Sequence, residues 1–221
     1  MKVYKIPSEL SNPALLFDMD NTLYTHDEYG KTQIDLPVKR LAEKKGKTFE
    51  QMNDEVTQYR KKWAQDHNGQ AISLSNTFLA LGVSIEENIR WRDECFKPED
   101  YLKPDPQLRC VLQVLASRFS LAVVTNNTAA IAVRTLSVLG VDDILNKIIG
   151  LDTVKASKPD KVHFLKAAEL CGTTVEQCIS IGDRYDIDIA LPLEMGMGGI
   201  LVDNVEDVYN LPDLFASSNA V

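Results

Sequence analysis

Asp18 and Asp20 stand two residues apart in "LLFDMDNTLY" (15–24), directly after an apolar run. Neighbouring carboxylates repel, and nothing adjacent neutralises this pair. Either the two acids turn the chain after a strand, as Asp and Asn commonly do, or they do separate work. One carboxylate can attack phosphorus and form an aspartyl-phosphate, dividing one hard displacement into two easier ones. The other can protonate the departing alcohol and then activate water. That division needs one acid ionised and the other able to carry a proton. A lysine and a metal ion can enforce it by favouring charge on the first.

Three later stretches offer the missing parts. In "TNNT" (125–128) the Thr125 hydroxyl and backbone N–H groups open a helical pattern and suit phosphoryl oxygens. Thr125 reads equally well as a plain helix N-cap. In "SKPDK" (157–161) Lys158 precedes a proline in a loop about to start a helix. A cation there offsets the charge of phosphate and nucleophile together, although alone it is an ordinary solvated lysine. "GDRYDID" (182–188) is rich in the oxygens that a hard cation such as Mg²⁺ prefers. His26, His67 and His163 have neither metal-ligand spacing nor a nucleophile partner. Trp63 and Trp91 read as packing residues, and the charged runs at 60–62 and 86–87 as solvated faces.

Positioning these groups requires a sheet. Apolar runs recur at "ALLFD" (14–18), "LAVVTNN" (121–127), "KIIG" (147–150), "CISIGD" (178–183) and "GILVD" (199–203), each ending in polar residues. Between them Leu108, Val111, Leu112 and Leu115 follow helical spacing, as do Phe164, Ala167, Ala168 and Cys171. Continuous apolar strands alternating with amphipathic helices predict an α/β fold, a doubly wound parallel sheet covered on both faces. Ligands in such sheets bind beyond the carboxyl ends of the strands. Asp18, Thr125 and Asp183 fall at that end.

The spacing is uneven. About a hundred residues separate Asp20 from Leu121, whereas an ordinary crossover needs only a dozen or more. Phe49, Met52, Val56, Tyr59 and Trp63 make one helical stripe, Ile85, Ile89 and Phe96 suggest another, and "DHNGQ" (66–70) reads as the turn between. No strand pattern appears there. The expected organisation is a core at residues 1–24 and 104–221, with an all-helical cap at 25–103 placed to act as a lid.

The 221 residues carry a net charge of −8, which argues against a nucleic acid polymer as partner. Four scattered cysteines without a CxxC pair read as reduced structural thiols. Residues 1–13 show no apolar signal core and no segment reaches membrane-spanning length. The expectation is a cytoplasmic protein without membrane contact, a monomer or homodimer.

Taken in order, "FDMDNTLY", "VVTNN", "SKPD" and "IGDRYDID" resemble the four motifs of the haloacid dehalogenase-like phosphatase superfamily, over about residues 14 to 205. The helical insertion falls where that family often carries its cap. The resemblance implies Asp18 as nucleophile and metal ligand. It implies Asp20 as general acid and base, with its backbone carbonyl on the metal. Thr125 and Asn126 become phosphate binders, Lys158 the stabilising cation, and Asp183 a ligand of Mg²⁺. The family's further acid falls four or five residues after Asp183, which favours Asp188 over Asp186 as the outer support of the metal. The named dehalogenases generally lack an acid at the position of Asp20, because a halide leaves without a proton, so Asp20 points to phosphate esters. The implied reaction is Mg²⁺-dependent hydrolysis of a small phosphorylated metabolite. A pyrimidine 5′-nucleotidase-like activity, suggested by "YLKPDPQLRCVLQVL" (101–115), remains open. So do a phosphomutase or other phosphotransferase and a non-enzymatic phosphate-binding module.

Overall fold

The computed structural model describes residues 1–7 and 11–217. Six strands form one sheet: β1 (Lys2–Lys5), β2 (Ala14–Phe17), β3 (Ser120–Val124), β4 (Ile148–Ile149), β5 (Cys178–Gly182) and β6 (Gly198–Leu201). Their order is β1-β6-β5-β2-β3-β4, with β1 antiparallel to β6 and the other pairs parallel. The five apolar runs seen in the sequence are β2 to β6. Strand β1 lies outside that expectation, because KVYK sits on an edge, is mostly exposed and carries no apolar run.

Between β2 and β3 lie α1 (Asp27–Lys45), α2 (Phe49–Asp66), α3 (Leu74–Ala80), α4 (Ile85–Cys95) and α5 (Pro106–Ala116). Then follow α6 (Ala129–Leu139), the short α7 (Leu151–Val154), α8 (Lys161–Cys171), α9 (Ala190–Glu194), α10 (Val205–Tyr209) and α11 (Leu211–Ser217). Side chains of β2 alternate between two cores, as the two-residue period of a strand requires. Leu15 and Phe17 pack with Leu121, Val123, Ile179 and Ile181 beneath α5 and α6. Ala14 and Leu16 pack with Ala122 and Val124 against Phe164, Ala167 and Ala168 of α8.

Helices α1 to α4 gather a separate apolar cluster around Val38, Leu41, Met52, Val56, Phe78 and Trp91. The stripe anticipated for α2 buries Met52 and Val56. Helix α1 is not visible as a stripe, since Gly30 and Pro37 interrupt it. Its ends hold it instead. His26 accepts the N–H of Tyr29, Asp27 and Glu28 occupy the first turn, and Lys44 and Lys45 the last. Gly46 closes it at φ 64°, a left-handed conformation that suits glycine.

The register decides where the chemistry falls. Phe17 pairs with Val123 on one side and Ile181 on the other, so the three central strands end flush. Asp18 N–H donates to the Ile181 carbonyl at 2.7 Å, and Thr125 N–H to the Ile149 carbonyl at 2.9 Å.

Candidate active site

Asp18, Thr125 and Asp183 each follow directly on a central strand, and the loop before α8 brings Lys158 among them. The Lys158 ammonium is buried and spends all three donors: 2.6 Å to Asp18 Oδ1, 2.7 Å to Asp188 Oδ1 and 2.7 Å to the Val124 carbonyl. Asn126 fixes that lysine from behind. Its Oδ1 accepts the Lys158 N–H at 2.7 Å and its Nδ2 donates to the Lys158 carbonyl at 3.4 Å. Thr125 Oγ1 accepts the N–H of Asn127 at 3.0 Å. The N-cap of α6 is Thr128 rather than Thr125, whose side chain therefore faces the loop.

Asp188 reaches Lys158 because a π-helical turn, Tyr185–Ile189, folds it back over the end of β5. The fold-back needs Gly182: a Cβ there would lie 2.5 Å from Asp188 Cβ. Asp186 points elsewhere, and its Oδ2 accepts the N–H of Ala71 in the insertion at 2.8 Å. Of the two acids weighed in the sequence, Asp188 is the one brought to the lysine.

One oxygen from each of Asp18, Asp183 and Asp188 lies within 4.8 Å of the others. Asp18 Oδ2 and Asp183 Oδ1 are buried and receive no hydrogen bond, whereas most buried polar atoms are paired. Arg184 Nε lies 3.5 Å from Asp183 Oδ1, and Asn21 donates to Asp183 Oδ2 at 3.2 Å. Burial pushes the Asp18 carboxyl up to about 7, against the pull of Lys158, and burial also raises Asp183. For Lys158 burial works downward, but the charges of Asp18 and Asp188 outweigh it and raise its pKa. Two orphaned carboxylate oxygens in an oxygen-only cluster are a donor set that fits a hard divalent cation. Asp188 already uses both oxygens, one on Lys158 and one accepting the Arg184 N–H at 3.2 Å.

The Asp20 carboxylate lies outside that cluster. Its Oδ1 accepts a short hydrogen bond from the Tyr24 hydroxyl and one from Gln33 Nε2 at 2.9 Å, and its Oδ2 accepts from Asn127 Nδ2 at 2.7 Å. Burial, reinforced by the nearby Asp20, raises Tyr24 well above the ordinary tyrosine range and keeps its hydroxyl a donor. Beside Asp20 is a cavity of about 200 Å³ whose walls include Gln33, Ser75, Arg92, Asn127 and Arg184. Sequence reasoning missed these five. Asn127 and Arg184 lie inside quoted motifs, but nothing local separates them from their neighbours. Gln33 and Arg92 sit on helices with no chemical signature, and Arg92 in "RWRDE" looks like one charge of a solvated face.

A flush strand edge carrying an acid pair, a buried lysine and a cluster of three acids belongs to a Rossmann-like α/β core. The chain belongs to the haloacid dehalogenase-like hydrolases, whose family model matches residues 13–196. It is 34% identical over 93 residues to a phosphoglycolate phosphatase of Aquifex aeolicus, covering 42% of this chain and 43% of that protein. The chain thus spans less than half the length of that relative. A glyceraldehyde 3-phosphate phosphatase of Methanopyrus kandleri is 25% identical over 194 residues, 83% of this chain and 81% of its own. The crystal structure of a HAD phosphatase from Thermococcus onnurineus superposes with a TM-score of 0.61 at 18% identity, covering 92% of this chain and 97% of the other. At that identity the likeness speaks for the fold.

Proposed function

We propose that the chain is a Mg²⁺-dependent phosphomonoesterase working through an aspartyl-phosphate on Asp18. The carrying observation is that two acids two residues apart have entirely different partners. Asp18 faces a buried ammonium and an acidic cluster able to take a cation, partners that favour its charged form against the upward push of burial. Asp20 is held by three neutral donors beside the cavity. In the first step the Asp18 carboxylate attacks phosphorus and the P–O bond to the alcohol breaks, while Asp20 gives its proton to the departing oxygen. In the second, Asp20 takes a proton from water, whose oxygen attacks phosphorus and frees phosphate and Asp18. Asp18 and Asp183, with the Asp20 backbone carbonyl, would hold Mg²⁺, and Asp188 would support it from outside. The ion's contribution is to offset charge on the phosphoryl oxygens. Thr125 and Asn126 line the phosphoryl position, and Lys158 compensates its charge.

The substrate class follows from size and charge. A cavity of about 200 Å³ lies below the ~300–1,000 Å³ of sites that enclose drug-sized ligands, and the cationic Arg184 stands in its wall. Small anionic phosphate esters fit this better than nucleotides. The names of the Aquifex and Methanopyrus relatives point the same way. Residues 25–103 act as the cap over this cavity.

The test is phosphate release across nucleotides, sugar phosphates and small phospho-acids, with and without Mg²⁺. The expected result is fastest release from small phospho-acids and loss of release with a chelator. No release across the whole panel would sink the reading.

A further inference from the structure

Arg92 is a long cationic side chain of α4, in the insertion, yet it is 6% exposed. Burying a guanidinium is costly unless its donors are matched, and here each of its three nitrogens donates one hydrogen bond, one of them across the seam. Nη1 donates to Asn127 Oδ1 of the core at 2.7 Å, Nη2 to Ser75 Oγ at 2.8 Å and Nε to Asn88 Oδ1 at 3.2 Å. Ser75 on α3 and Asn88 on α4 thus clamp the guanidinium from within the insertion. Asn127 is itself buried and makes two side-chain contacts of opposite polarity, its oxygen toward Arg92 and its nitrogen toward Asp20 Oδ2 at 2.7 Å. Turning the amide over would set its oxygen against a carboxylate and its NH₂ against a guanidinium, so both contacts would become repulsive. Arg92 therefore selects one amide orientation, and that orientation places a donor on Asp20.

We propose that Arg92 is a positioning residue for proton transfer: through the Asn127 amide it aims the Asp20 carboxyl at the leaving-group oxygen. The link exists only where the insertion is seated on the core. Ser73 Oγ to Ser157 Oγ at 2.9 Å, and Thr128 to Asp93, are the neighbouring contacts that seat it. Proton donation is thereby tied to closure over the substrate. The inference rests on the phosphatase reading above.

A proton-positioning role has a signature that substrate binding and plain structural support lack: its loss depends on how much the leaving group needs a proton. The experiment compares kcat/KM, with Mg²⁺, for the best small alkyl phosphate of the panel against acetyl phosphate and p-nitrophenyl phosphate. The latter two release stable anions. Arg92→Met is expected to lose about 30-fold on the alkyl ester, part of the ~100- to 10,000-fold that a general acid contributes, and less than about threefold on the two activated substrates. Asn127→Ala removes the donor from Asp20 without setting a second carboxylate beside it, and urea unfolding of both variants reports whether the fold is kept. Asn127→Ala is expected to show the same leaving-group dependence. The double variant should lose little more than the worse single one, as groups acting in series do. Equal losses on all three substrates, or additive losses in the double variant, overturn the proposal while leaving the phosphatase reading standing. A wild-type protein that hydrolyses none of these substrates overturns both.

Discussion

Asp18 and Asp20 are separated by one residue, but their surroundings are assembled from different parts of the molecule. Everything around Asp18 belongs to the sheet and its own loops: Lys158 ahead of α8, the end of β5 and the π turn carrying Asp188. Around Asp20 the insertion takes part. Gln33 comes from α1, and Asn127 is oriented by Arg92 of α4. The difference matches the roles proposed for the two groups. A buried charge needs permanent compensation, because removing its partner leaves it stranded in a poorly solvated site. In the proposed mechanism Asp20 carries a proton, which is useful only when aimed at substrate, so its partners can come from the insertion.

Four substitutions test this contrast, in descending order of expected effect. Asp18→Asn removes the attacking carboxylate and should lower kcat/KM by about 10⁴-fold or more, with no phosphorylated protein trapped on rapid acid quenching. Retention of full Mg²⁺-dependent activity would end the nucleophile assignment.

Lys158→Met strands Asp18 and Asp188 together. Breaking a buried ion pair from one side costs about 3–5 kcal/mol, to be read from urea unfolding, and activity should fall with it. A loss below about 1 kcal/mol would mean that the core side of the comparison is not held by charge.

His163 probes the same core from behind. It is fully buried on α8 with neither ring nitrogen hydrogen-bonded, and burial, together with the nearby Lys158 charge, lowers its pKa to about 4. The unfolded chain takes up that proton near its ordinary value of 6.5. Between pH 6.5 and 4 the unfolded state therefore binds more protons. The stability this group contributes is complete above 6.5 and lost as pH falls through 4, roughly 3 kcal/mol in all. His163→Leu should flatten that acid limb in urea midpoints taken from pH 4 to 8. An unchanged limb would assign the acid sensitivity to other groups.

Gln33→Leu carries the smallest effect. It removes one of three donors to Asp20, worth about tenfold in kcat/KM for an alkyl ester at the strength of one hydrogen bond to a charged group. Tyr24 and Asn127 remain. A loss as large as that of Asn127→Ala would show that α1 aims the acid as much as α4 does.

The strands were legible because each reads as a continuous apolar run, and a parallel sheet buried on both faces demands that pattern. Lys158 and Asp188 were legible by position in recognisable stretches. Strand β1 was not, since an edge strand with one wet face does not need the pattern. Helix α1 hid behind Gly30 and Pro37 while its caps did the holding. Arg92 and Gln33 left no trace, because an arginine or glutamine on a helix is ordinarily a solvated residue.

The order of elements, the two acids, the lysine and the acidic turn were determined along the chain itself, where apolar period and residue type are local properties. The pairing of Lys158 with Asp18, 140 positions apart, was decided by strand register and by the loop before α8. So was the turning of Asp186 to the insertion and Asp188 to the lysine. The path from Arg92 through Asn127 to Asp20 was decided by how α4 seats on the core. A hydrogen bond depends on distance and angle in space, and neither is written in the spacing of residues along the chain.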